Sequence, residues 1–291
     1  MDRPDRFGRV QPRKGLILSE ESTFNFDCRP GIACFTKCCR RVNIFLTPLD
    51  IVRLKNRLGI SSDEFLKKYT TTIMSESSGL PVVVLKLSED GEQKCPFVTE
   101  QGCSVYEDRP WPCRMYPLDK HEGSRTFYYF IDNPECLGFK EDRKWTVKEW
   151  EEDQGIYEYR EYDYLLFDIL AVEKCLDEKI DNEKIIDMYY MACYDIDRFK
   201  RFVFGSRFLD IFDIPDETVE KIETDDRELL KLALKWLKFG MVGGKSLKIK
   251  EEVLEAARKK QESEEKGNKD EEENKDLSEE EIKDLLEEKK E

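Results

Sequence analysis

Ten cysteines occur in 291 residues, and eight of them fall within 109 consecutive positions. They are Cys28, Cys34, Cys38, Cys39, Cys95, Cys103, Cys113 and Cys136. Their spacing reads Cys28-x5-Cys34-x3-Cys38-Cys39, then 55 residues, then Cys95-x7-Cys103-x9-Cys113-x22-Cys136. Thiolates are soft ligands that suit iron–sulfur clusters, zinc and copper(I). Glycine and proline stand beside several of these cysteines: Pro30-Gly31, Pro96, Gly102, Pro110, Pro112 and Gly138. Such residues bend the chain so that thiolates converge and backbone N–H groups face sulfur. Lys37, Arg40, Arg109 and Arg114 are positioned to favour the thiolate forms.

Structural zinc usually takes four ligands from paired C-x2-4-C knuckles, and no C-x-x-C occurs here. The adjacent pair Cys38-Cys39 is informative, because neighbouring side chains seldom converge on one small tetrahedral ion. The pair therefore points to two sites or one larger cluster. Eight thiolates suffice for two [4Fe–4S] clusters or two zinc ions. The single histidine, His121, reads as a surface-loop residue rather than a ligand. Arg109, Arg114 and Tyr106 surround Cys103 and Cys113, where they would tune a bound cofactor, clamp an anion or fix a turn. Cys175 and Cys193 lie at core positions of helical patterns and read as small hydrophobes.

The elements that must hold these cysteines predict an α+β fold. A small cysteine-rich metal-binding domain with a short antiparallel sheet and helices precedes an all-helical region. Residues 1–23 read as an irregular arm, 24–145 as the cysteine domain, 146–260 as the helical region and 261–291 as an acidic tail. Thr47, Pro48 and Asp50 start a helix that Gly59 ends, and Ser61 with Glu64 starts a second. Residues 80–87 and 125–131 read as strands, with 94–106 as the returning half of a hairpin. Thr146 and Glu149 open a long helical pattern running to Val172. A second pattern runs from Ile185 to Val203, a third follows Asp225-Asp226, and a short one covers about 251–260. Gly243-Gly-Lys-Ser246 lacks the glycine and the preceding strand of a phosphate loop, and reads as a helix end.

The tail holds 15 acidic and 6 basic side chains and so accounts for −9 of the formal −15 charge. It is expected to be disordered or a solvated helix. An acidic balance argues against nucleic-acid binding. No apolar run is long enough to span a membrane, and the N-terminal residues lack a secretory pattern, so a cytoplasmic protein with free thiols is expected.

Three stretches carry a family resemblance. They are Phe26-Asp-Cys28 with Cys34-Phe-Thr-Lys-Cys38-Cys39, then Leu46-Thr-Pro-Leu-Asp50-Ile-Val-Arg-Leu54, and then Cys95-Pro-Phe with Gly102-Cys103-Ser-Val-Tyr106-Glu-Asp-Arg109-Pro110-Trp-Pro-Cys113-Arg114-Met-Tyr116-Pro117. Together they resemble the YkgJ-type cysteine-cluster family, over roughly residues 24–140. Its members are described as having a putative zinc- or iron-chelating CxxCxxCC domain. The first block departs from that pattern, since five and three residues separate its cysteines. Flagellin lysine N-methylases are similar in cysteine pattern, so the resemblance permits a metal-dependent modification enzyme. The expectation is a cytoplasmic protein whose iron–sulfur cluster supports electron transfer or modification of a protein substrate. The alternatives are a non-catalytic zinc module that binds a protein partner, and a metal carrier.

Overall fold

The computed structural model describes residues 17–121, 126–131, 133–175, 180–243, 246–256 and 258–259, and only the backbone at 168 and 170–175. The proposed tail, most of the N-terminal arm, Arg125, Gly244, Lys245 and the side chain of Cys175 therefore lie outside the described residues.

The architecture is α+β, with about half of the described residues helical. β1 (Thr23–Asn25) precedes the first cysteine block, and α1 (Pro48–Leu58) and α2 (Ser62–Tyr69) follow it. The Thr47–Asp50 capping box of α1 is complete, and Gly59 closes the helix at φ 65°. Next come β2 (Thr70–Met74), β3 (Pro81–Leu85), β4 (Val98–Thr99), β5 (Gly102–Cys103), α3 (Trp111–Met115), β6 (Leu118–His121), β7 (Phe127–Phe130) and β8 (Lys144–Thr146). The helical half comprises α4 (Val147–Asp153), α5 (Arg160–Cys175), α6 (Glu183–Cys193), α7 (Ile196–Gly205), α8 (Phe208–Ile211), α9 (Asp216–Thr224) and α10 (Asp226–Val242).

The expected sheet is instead a set of separate antiparallel ribbons. Among the described residues the pairs are β1–β8, β2–β3, β4–β5 and β6–β7. The strand expected over 80–87 pairs with β2, directly after α2, and not with the 94–106 segment. That segment forms its own hairpin, β4–β5. The long helical patterns are also divided. Gly155, at φ 65°, separates α4 from the turn 156–159 that leads into α5. Asp195 accepts from the Arg198 N–H and restarts the chain as α7 after α6. The third pattern is one helix, α10, capped by Asp225 as its sequence indicates, and residues 251–256 are helical. The helices α8 and α9 have no counterpart in the sequence reading.

One hydrophobic core runs through both halves. Leu49, Ile51, Val52 and Leu54 of α1 are buried, as are Phe65 of α2 and Val83 of β3. They are continuous with Tyr159, Ile169, Phe199, Leu230 and Leu237 of the helical half. Polar groups stitch the same boundary. Lys55 pairs with Asp226 at 2.7 Å and with Asp197 at 3.2 Å. The Ser62 hydroxyl donates to Asp195 at 2.7 Å, and the Ser62 N–H donates to Asp197 at 2.6 Å. Cys193 is buried in this core. No described helix is long and apolar enough to cross a membrane.

Candidate metal centre

The first cysteine block is anchored by aromatic packing. Phe26 is fully buried and meets Phe139 and Trp150 edge-on, each at 5.5 Å, and Tyr116 at 5.9 Å. Beyond it the chain lies along residues 138–143. The Phe26 N–H donates to the Arg143 carbonyl at 2.9 Å, and the Asp27 N–H to the Gly138 carbonyl at 3.2 Å. Gly138 is required for this approach, since a Cβ there would stand 2.6 Å from the Asp27 carbonyl oxygen. Cys28 is thereby brought beside the loop of Cys136. Successive turns carry the chain onward to Cys39: Phe35 to Ile32, Lys37 to Cys34 and Cys39 to Thr36. The Leu137 N–H donates to the Cys34 sulfur at 3.2 Å, which ties the first block to the last cysteine loop.

The second block is laid against Cys39 by the backbone. The Cys95 N–H donates to the Cys39 carbonyl at 2.9 Å, and the Arg41 N–H to the Gln93 carbonyl at 3.0 Å. The β4–β5 hairpin pairs Val98 with Cys103, which returns Cys103 towards Cys95. Gly102 makes the turn possible at φ 118°, and its Cα packs so closely that a Cβ would lie 3.1 Å from the Phe35 ring. Cys113 sits within α3. The N-terminus of α3 is fixed from α1, where fully buried Asp50 accepts from the Trp111 N–H at 2.9 Å. The same Asp50 oxygen accepts from the Tyr159 hydroxyl at 2.8 Å, and the other from the Thr47 N–H at 2.8 Å. One carboxylate therefore holds a helix start, a cysteine loop and the helical half together.

The eight clustered cysteines are free thiols. Their electrostatics follow their neighbours. In the adjacent pair, the hydrogen bond from Cys39 lowers Cys38 to about 7, and the same bond raises Cys39. Loss of solvent, then the thiols of Cys38, Cys34 and Cys136, push Cys28 up to about 12, although the residue as a whole is exposed. Burial raises Cys95 to about 11, against backbone N–H donors at Phe97 and Val98. Burial also raises Cys113, with Cys95, Cys103 and Asp50 adding to it. Burial raises Cys103, opposed by the Val105 N–H and the Arg109 charge. The Tyr116 hydroxyl is raised by burial and by its hydrogen bond with Cys136.

Arg109 and Arg114 direct their guanidinium donors into the protein. Arg109 binds the Tyr106 carbonyl at 2.5 Å and the Gln154 side chain, and lies 3.8 Å over the Tyr106 ring. Arg114 donates to the Arg109 carbonyl and the Gln154 carbonyl, each at 2.8 Å, and to the Glu107 carbonyl. This arrangement supports turn fixing more than anion clamping, and the partners are carbonyls rather than carboxylates. Tyr106 is itself half exposed. His121 stacks on Phe127 at 4.5 Å, at the end of the β6–β7 ribbon.

Sequence reasoning places Asp50 in a helix cap and misses its second role as the anchor of Trp111. It also misses Gln154, which has no sequence signal, and the Tyr116 contact with Cys136. The capping-box spacing gives half of the Asp50 role; its burial at 0% exposure depends on partners 61 and 109 residues away.

Residues 27–137 match the model of the CxxCxxCC family, described as a putative zinc- or iron-chelating domain. The match covers the stretch over which the sequence resembles that cysteine-cluster family, and it supports the resemblance. No curated protein and no solved structure matches the chain. An all-sulfur donor set fits both zinc and iron. Among the described residues no three His, Cys, Asp or Glu side chains are grouped so that they could hold a metal ion. The backbone hydrogen bonds bring the cysteine-bearing segments together.

Proposed function

We propose that the cysteine centre holds iron–sulfur chemistry that supports electron transfer or the modification of a protein client, in the cytoplasm. The carrying observation is that none of the eight clustered thiols is among the fully buried residues of a core that is already continuous; Cys95, Cys103 and Cys136 only pack against it. A zinc module whose metal replaces a missing core would be expected to lack such continuity. Here Phe26, Leu49, Phe65 and Val83 are buried within that continuous core. Metal at this position is then free to serve chemistry. Partly exposed cysteines such as Cys34, Cys38 and Cys136 leave the centre within reach of a partner. The adjacent Cys38-Cys39 pair also suits a larger centre better than a single tetrahedral ion.

Anaerobic purification of the full chain tests this reading. The expected product is brown, absorbs broadly across the visible range and contains iron with acid-labile sulfide. Colourless protein that holds only zinc would overturn it in favour of the zinc module.

A further inference from the structure

Backbone and hairpin contacts gather six of the eight cysteines into two groups, Cys28, Cys34 and Cys136 in one and Cys39, Cys95 and Cys103 in the other. Cys28 and Cys136 are brought together where residues 26–28 lie along 138–143, through the Asp27-to-Gly138 and Phe26-to-Arg143 hydrogen bonds. Cys34 joins them, because its sulfur accepts from the Leu137 N–H at 3.2 Å, one residue beyond Cys136. On the other side, the Cys95 N–H binds the Cys39 carbonyl at 2.9 Å. The β4–β5 hairpin then returns Cys103 beside Cys95. Cys113 enters from α3, whose start is fixed by Asp50.

Cys38 remains to be placed. Its turn, Lys37–Cys39, starts from the first group, where the Lys37 N–H donates to the Cys34 carbonyl at 3.0 Å. Cys39, the next residue, is held to the second group through its carbonyl, which accepts from the Cys95 N–H. Adjacent residues project their side chains in different directions, so the short turn Lys37–Cys39 can serve both groups at once.

We infer that the centre is double: Cys28, Cys34, Cys38 and Cys136 hold one metal ion or cluster, and Cys39, Cys95, Cys103 and Cys113 hold a second. This rests on the reading of the cysteines as metal ligands, and names which ligand serves which centre. Each group supplies four thiolates, the complement of an all-cysteine zinc site or of a cubane cluster. The peptide bond between Cys38 and Cys39 makes the two centres close neighbours, so that occupancy or charge of one is felt at the other.

Metal analysis of the purified full chain is the first test. The expected content is about two zinc or about eight iron with matching sulfide. One zinc, or about four iron, would overturn the double centre while leaving metal binding intact. A chain with neither metal would overturn the metal reading and this inference with it. Variants provide the second test, read as metal per chain in protein whose helical circular dichroism matches the parent. Cys28→Ser and Cys103→Ser should each remove about half of the metal, and the two together nearly all. Cys28→Ser with Cys136→Ser should remove no more than Cys28→Ser alone. A folded single variant stripped of all metal would show one shared centre. Should the variants fail to fold, the stoichiometry of the parent chain decides.

Discussion

Asp50 shows how much one side chain can determine. Its carboxyl is fully buried, and burial lifts it above the usual carboxylate range although N–H and hydroxyl donors oppose the rise. Both oxygens face donors: Trp111 N–H and Tyr159 O–H at one, Thr47 N–H at the other. An amide at this position must turn its NH2 towards a donor. Asp50→Asn should therefore destabilise the fold by about 2–3 kcal/mol, seen as a lower urea midpoint with unchanged slope. A midpoint equal to the parent's would mean that the three donors find other partners. The Thr47-x-x-Asp50 spacing made the helix cap legible in the sequence. The tie to Trp111 and Tyr159 was not legible, because it depends on long-range folding that no local pattern encodes.

Among the elements, boundaries were legible where side chains cap the backbone locally. Thr47 for α1, Thr146 for α4 and Asp225 for α10 each accept hydrogen bonds at their helix starts. Strand pairing was less so: β3 joins β2 because Thr70–Met74 returns directly from α2. Polar threonines gave that strand little apolar pattern to read. The cysteines were legible as a set because of their chemistry, but their partners were not, since hydrogen bonds such as Cys95 to Cys39 follow from the path of the backbone.

The junction of α1, α2 and α7 also predicts an acid sensitivity. Burial alone would raise Asp197, but the Ser62 N–H and the Lys55 charge outweigh it and hold the carboxyl below its usual range. A depressed folded value means that the contribution is fully present above the unfolded value. It is lost as pH falls through the folded value. Asp197→Asn should thus lower the melting temperature near neutrality and approach the parent below about pH 4. A constant difference down to the lowest pH at which both stay folded would assign the effect to packing instead.

Across the whole molecule, the cysteine-bearing segment and the helices share one core and one set of buried polar contacts. Lys55, largely buried, relies on Asp197 and Asp226 from the helical half. Removing those partners strands a charge in a poorly solvated place, a change that costs several kcal/mol. A fragment of residues 24–145 is therefore expected to be unfolded or insoluble. Sharp amide dispersion and a cooperative thermal transition from that fragment would contradict this.

The β1–β8 ribbon pairs Thr23 with Thr146, Phe24 with Trp145 and Asn25 with Lys144. These two strands stand immediately outside the eight cysteines in sequence. On the ribosome, which feeds the chain out from its N-terminus, β1 must wait for more than a hundred further residues before its partner emerges. Asp50 waits in the same way for Tyr159, a partner in the helical half. The thiols of the first block are thus present in the nascent chain well before the frame that gathers them.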